Sequence, residues 1–263
     1  MTIHGSCAVR RILGIPIRAT TMDGALDAID DAISSRKRIQ IGVVNAAKIV
    51  NMRRDPALRQ DVLSSDLIFA DGMSVVWASR ILGQPLPERV AGIDIMMGML
   101  ARGNRKGYRI FFLGATDEVL EIVTERVRRE YPGVHVAGRR NGYYKEEEAE
   151  GIASEIRISN ADILLVAITS PKKEKFLAKW NDTMNVPICH GVGGSFDVYA
   201  GKVVRAPESW QKLGLEWLYR LKQEPGRLWK RYLVTNTLFS WMVLSELFRR
   251  PFLAAESFRK GRG

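Results

Sequence analysis

Asp71 is the residue whose surroundings most resemble a catalytic setting. It closes the run Asp66-Leu-Ile-Phe-Ala70 and is followed by Gly72-Met73, so a carboxylate stands at the end of a strand-length segment with a glycine leaving room beside it. A carboxylate in that position suits a general base that removes a proton from a hydroxyl. It equally suits a helix N-cap, because Met73–Leu82 has helical periodicity, and spacing alone weighs the two readings evenly.

Further polar residues close other apolar runs. Asn45 follows Ile39–Val44, and Gly114-Ala115-Thr116 ends Tyr108–Gly114. Thr169-Ser170-Pro171-Lys172 follows Asp162–Ile168, and Gly191-Val192-Gly193-Gly194-Ser195 closes Val186–Val192. Open α/β sheets bind ligands beyond the carboxyl ends of their strands, so these five ends are candidates for one cleft. Backbone N–H groups of Gly114 and of Gly191–Ser195, near helix starts, are candidates to cradle a diphosphate. Ordinary strand-to-helix turn glycines account for either segment equally well.

Several chemistries have no signature. There is no G-x-x-x-x-G-K-[ST] loop, no G-x-G-x-x-G after the first strand and no G-x-S-x-G elbow, which disfavours a nicotinamide-dependent oxidoreductase among others. His4, His135 and His190 are scattered, and His190 reads as a strand-end residue rather than a catalyst. No two aspartates stand at i and i+2, so the Asp-x-Asp pair that holds a divalent metal in many sugar-nucleotide transferases is missing. No metal and no cofactor is expected, and a phosphate leaving group must be stabilised by other means.

These residues need elements to hold them. Between the runs already named, and Gly133–Ala137, lie helical stretches such as Thr116–Glu130 and Lys145–Ile158; Thr116-Asp117-Glu118 is a good helix start and Pro132-Gly133 a good stop. Strands alternating with helices predict a Rossmann-like α/β fold, a mostly parallel sheet with helices on both faces. The chain has 263 residues, 46% of them apolar, which is enough for a sizeable core. After about residue 200 no strand follows, so we expect an α/β catalytic domain over 1–200 and a basic, aromatic, helical C-terminal appendage over 201–263.

The formal net charge is +11, and from Lys202 onward 13 basic residues face five acidic ones, eight of the eleven charges. An excess of this kind favours anionic partners. Tyr232–Phe248 is apolar but only 17 residues long and contains Asn236, Ser240, Ser245 and Glu246, short of the ~20 apolar residues of a spanning helix. An interfacial helix at an anionic membrane surface is the better reading, anchored also by Trp210, Trp217, Trp229 and Trp241. Basic charge with interleaved aromatics also suits single-stranded nucleic acid, the alternative class, but nucleic acid has no use for an adjoining apolar run; no nucleic-acid partner is expected. Cys7 and Cys189 form no disulfide framework, and Arg18, Asp23 and Asp27 interrupt any signal-peptide run, so a cytoplasmic protein at the inner face of the plasma membrane is expected. Homo-oligomerisation is left open.

Seven ordered segments carry a family resemblance: Asp71-Gly-Met-Ser-Val-Val-Trp-Ala, Pro87-Glu-Arg-Val-Ala-Gly-Ile-Asp94, Phe112-Leu-Gly114, Ser170-Pro-Lys-Lys-Glu174, Gly191-Val-Gly-Gly-Ser-Phe-Asp197, Ala200-Gly-Lys-Val-Val-Arg-Ala-Pro207 and Leu213-Gly-Leu-Glu-Trp-Leu-Tyr-Arg220. Over roughly residues 10 to 240 the chain resembles the WecG/TagA/CpsF family of bacterial glycosyltransferases. The resemblance implies an inverting, metal-independent transfer of a hexose-type sugar from a UDP-sugar donor to a polyprenyl-diphosphate-linked acceptor saccharide, in cell-surface or extracellular polysaccharide biosynthesis. It implies Asp71 as the base and a cleft lined by Asn45 and Arg89. The motifs add Asp94, Gly114, Lys172, Lys173, Gly191, Gly193, Gly194, Ser195 and Asp197 as donor- or acceptor-binding candidates. Arg220, Arg227 and Arg231 are the candidates for diphosphate and membrane contact; spacings of seven and four put them on one face if a helix runs through Pro225. Two departures stand out: Val43 where the family usually has Thr, and Lys173 where it usually has Gln. A cation at 173 suits an acidic or differently hydroxylated sugar, or a second phosphate contact.

Overall fold

The computed structural model describes residues 8–260, with the side chains of Arg227 and of residues 250–260 outside that description; His4 and Cys7 also lie outside it. The chain runs β1 (Val9–Ile12), β2 (Ile15–Arg18), α1 (Met22–Ser34), β3 (Ile39–Val44), α2 (Ala46–Arg54), α3 (Pro56–Leu63), β4 (Leu67–Ala70) and α4 (Met73–Ile81). It continues with α5 (Gly92–Lys106), β5 (Arg109–Gly114), α6 (Asp117–Glu130), β6 (His135–Arg140), α7 (Ala149–Ile158), β7 (Ile163–Ala167), α8 (Lys172–Met184) and β8 (Ile188–Gly191). Helices α9 (Ser195–Tyr199), α10 (Glu208–Lys212), α11 (Glu216–Gln223) and α12 (Pro225–Lys260) complete it.

Six strands form one parallel sheet in the order β4-β3-β8-β7-β5-β6, as the alternating pattern predicts. Side chains alternate across it. Ile110, Phe112, Leu165 and Ile188 meet α1, α5, α6 and α9 on one face. Phe111, Leu113, Leu164 and Val166 meet α7 and α8 on the other, where α2 and α3 cover Val44 and Ile68. Because all six strands run the same way, all six carboxyl ends lie along one edge.

Strand β6 begins two residues later than its apolar run, Gly133–Ala137, and extends to Arg140, because it is an edge strand whose outer positions tolerate arginine. The β1–β2 hairpin has no counterpart among the expected strands: its arginines and Pro16 hide the alternation of Ile12, Ile15 and Ile17, all fully buried. Its turn, Leu13-Gly14, has positive φ at both residues (51° and 77°), the geometry that matches strand twist in a two-residue hairpin.

Helices α11 and α12 are separate, because Glu224 leaves helical geometry (φ −132°, ψ 63°) and Pro225 starts a new helix. The condition for Arg220 to share a face with Arg227 and Arg231 is therefore not met. Along α12, Leu228, Tyr232, Thr235, Phe239, Met242 and Val243 form one buried stripe, and the last three of its apolar residues join Ile12, Ile15, Ile49 and Met52 in a common core. Trp229, Leu233, Val234, Trp241, Leu244 and Phe248 are exposed on the other side. The apolar run is thus a helix with two apolar faces, and among the described residues no helix is long and apolar enough to cross a membrane.

Candidate active site

Asp71 continues β4 through its N–H, which donates to the Val44 carbonyl at 2.9 Å. Its side chain does not cap α4: the cap residue is Gly72, with no side-chain bond. Instead Oδ1 accepts the backbone N–H of Gly92 at 2.9 Å and Oδ2 accepts Nδ2 of Asn45 at 3.3 Å. Gly92 opens α5, so the carboxylate sits at the positive end of a 15-residue helix. Asn45 is itself the cap of α2, its Oδ1 accepting the Lys48 N–H at 3.0 Å, and the amide is fixed with its NH₂ toward Asp71. The segment before α5 is tied back to the sheet by the Val90 N–H, which donates to the Ala70 carbonyl at 2.9 Å.

Beside this pair lies an ionic network. Arg89 donates to Asp94 (3.0 Å), Glu216 (2.8 Å) and the Gln211 side-chain oxygen (3.3 Å), and Arg205 reaches Asp94 at 2.7 Å. Arg89 is mostly buried and faces two carboxylates, so it ties α10 and α11 to the first turn of α5. Arg220 lies 3.9 Å from Glu216, and Arg231 stacks on the Tyr232 ring 5.1 Å from its centroid.

A second cluster lies under Gly191. Glu174 accepts from Lys48 at 2.9 Å, with Lys173 at 3.6 Å, and all three side chains are largely buried. Burial, reinforced by the Lys48 charge, pushes Lys173 down to about 8 even though Glu174 and Asp71 oppose the shift. Burial alone raises the Glu174 carboxyl, but the two lysines outweigh it and pull the group down to about 2. Gly191 is glycine for a packing reason: a Cβ there lies 2.5 Å from the Lys173 stem. Lys173 is therefore packed beneath Gly191 and is not exposed at the strand ends.

The remaining candidates spread along the edge. Gly114 has φ +126°, and a Cβ on it would come within 2.4 Å of the Ala167 backbone, so close approach of β5 to β7 requires the glycine. At about 4.8 Å per strand, β5 lies roughly 19 Å from β4, and Gly114 does not share the immediate surroundings of Asp71. Lys172 points away from Asp71, donating to the Tyr144 carbonyl at 2.9 Å and lying over the Tyr144 ring. Gly193 turns with φ +57° and Gly194 is exposed, but the Ser195 hydroxyl is spent on the Val192 carbonyl at 2.6 Å. The Asp197 backbone carbonyl accepts from Lys202 and Val203, closing the turn after α9. The Arg227 side chain lies outside the described residues.

Sequence reasoning passed over Lys48, Arg205, Gln211 and Glu216 as participants. Their one local signal is a polar or charged side chain, since their partners are as far off as 127 residues. Among the described residues no three His, Cys, Asp or Glu side chains gather as a metal site.

A parallel open sheet whose carboxyl ends share one edge, with a doubly held carboxylate at the end of β4, belongs to the α/β class whose members bind ligands beyond their strands. Comparison says which kind. The model of the glycosyl transferase WecG/TagA/CpsF family matches residues 10–252, and the chain belongs to that family. It is similar, at 38% identity over 180 residues covering 68% of this chain and 69% of the relative, to the N-acetylglucosaminyldiphosphoundecaprenol N-acetyl-beta-D-mannosaminyltransferase of Bacillus spizizenii.

Proposed function

We propose that the protein transfers a hexose-type sugar, with inversion, from a UDP-sugar to a polyprenyl-diphosphate-linked saccharide, with Asp71 as general base. The observation that carries this reading is the Asp71 carboxylate, anchored at Oδ1 by Gly92 and held more loosely at Oδ2 by Asn45. Oδ2 is the atom that takes the proton as the acceptor hydroxyl attacks the anomeric carbon. The bond from that carbon to the diphosphate breaks, and its electron pair leaves with UDP. One base and one displacement invert the anomeric centre. The name of the Bacillus spizizenii relative, which joins an N-acetylmannosaminyl group to a lipid diphosphate saccharide, supports the same acceptor class and an N-acetylated hexosamine as donor sugar.

Charge on the departing diphosphate is met by protein donors preorganised around the cleft, in place of a metal. The turn at Gly193–Gly194 and the cations Arg205, Arg220 and Arg231 supply them, with Arg227 proposed from its place in the sequence alone. Arg89 enters a phosphate contact only by giving up Asp94 or Glu216, so its first task is to hold α10 and α11 against the cleft. The exposed apolar face of α12, with Lys230 and Arg231 beside it, suits docking on the anionic inner face of the plasma membrane, where the acceptor lipid resides.

UDP-sugars are screened against a synthetic polyprenyl-diphosphate saccharide, following UDP release without added metal. Asp71→Asn is expected to lower kcat by about 10²- to 10⁴-fold while circular dichroism stays unchanged. Near wild-type turnover by the folded variant would falsify the base assignment.

A further inference from the structure

His190 is a buried polar side chain that this mechanism leaves without a task. It lies on β8, in register with Ile41 of β3 and Leu165 of β7, and is wholly buried. An imidazole placed there costs stability unless it is hydrogen-bonded, and an apolar side chain would suit the surrounding core better. Burial pushes its pKa down to about 4, so the ring is neutral under working conditions. Nε2 lies 3.0 Å from the Gly92 carbonyl oxygen. A carbonyl only accepts, so Nε2 carries the hydrogen and donates it.

Gly92 is also the residue whose N–H holds Oδ1 of Asp71. As a glycine at the first position of α5 it has more backbone freedom than any other residue there would have. Upstream, the Val90 N–H bond to Ala70 fixes the chain; downstream, the bond from His190 fixes the Gly92 carbonyl. With both anchors in place the φ and ψ of Gly92 are set, and so is the direction of the N–H between them.

We propose that His190 is a positioning residue for sugar transfer: by donating from Nε2 to the Gly92 carbonyl it fixes the first turn of α5, and thereby the N–H that orients the Asp71 carboxylate. The inference rests on Asp71 being the base. It assigns no contact between His190 and substrate, only the aim of the group that makes one.

The test compares His190→Leu, which removes the donor, with His190→Gln, whose amide N–H reaches about the same point. His190→Leu is expected to lower kcat about 10- to 100-fold with little change in KM for either substrate, the size of loss that a small misplacement of a catalytic group produces. His190→Gln should recover most of it. In an Asp71→Asn background His190→Leu should cost nothing further, since it acts only through Asp71. Thermal unfolding checks that each variant is folded; if His190→Leu is not, His190→Asn, too short to reach Gly92, takes its place. Wild-type kcat in the folded Leu or Asn variant overturns the inference, as does failure of Gln to rescue or an undiminished loss in the Asp71→Asn background. Loss in Asp71→Asn with none in His190→Leu removes this inference alone, whereas full activity of Asp71→Asn removes the reading beneath it.

Discussion

A carboxylate that accepts a proton must be held firmly enough to stay aimed and loosely enough to keep a lone pair for the substrate. Asp71 combines a 2.9 Å bond at one oxygen with a 3.3 Å bond at the other, which satisfies both demands. Its neighbour Lys173 shows what burying charge nearby entails, for it is tolerated only beside Glu174, which also holds Lys48. Replacing Glu174 by Gln leaves two ammonium groups facing each other out of water, and we expect a loss of about 3–5 kcal/mol near pH 6. The sign with pH follows from Lys173, whose folded pKa of about 8 lies below its ordinary value. Losing Glu174 lowers that pKa further, so the folded variant sheds the proton sooner and its penalty shrinks as pH rises toward 8. Urea unfolding of both proteins across that range checks it; a penalty that grows with pH contradicts the arrangement.

At the scale of elements, α12 has two apolar faces in one sequence: its buried stripe completes the core over α2, while its opposite face shows Trp241 and Phe248 at 62% and 70% exposure. The two faces should separate by mutation. Phe239→Ala is expected to destabilise the fold by about 3–5 kcal/mol through the cavity it leaves. Trp241→Glu together with Leu233→Glu should leave the melting temperature nearly unchanged and remove the part of anionic-vesicle flotation that survives high salt. Undiminished flotation would show that membrane binding lies elsewhere. The Arg89 network sets a third expectation: Arg89→Met frees α10 and α11, and hydrogen exchange should quicken across 208–223 while the sheet strands stay protected. That the run 232–248 forms a helix was legible from its length and composition. Which face it buries was not, because both faces are apolar and only α2 decides between them.

For the whole molecule, the concentration of positive charge after Lys202 predicts vesicle affinity that falls as salt rises, with an apolar remainder that salt does not remove. Flotation at about 0.05 M and 0.5 M salt measures both parts; complete release at high salt would leave α12's exposed face without a role. Removing everything after residue 205 is a poor test of the same idea, because it also strips Phe239, Met242 and Val243 from the core they share with Ile12 and Ile49. Loss of transfer in such a truncation reports unfolding as readily as detachment.

By itself the sequence determined the parallel α/β class, the strand ends that carry the polar residues, and Asp71 as the one to examine first. It could do so because periodicity and turn residues are local properties, written within a dozen neighbouring positions. The tertiary structure decided that Asp71 holds Gly92 and Asn45 and caps no helix, that Arg89 faces Asp94 and Glu216, and that Lys173 lies beneath Gly191. It also showed which glycines serve packing. These facts depend on strand order, which brings residues more than a hundred positions apart to one edge, and on long-range pairing of charges that local pattern leaves unspecified.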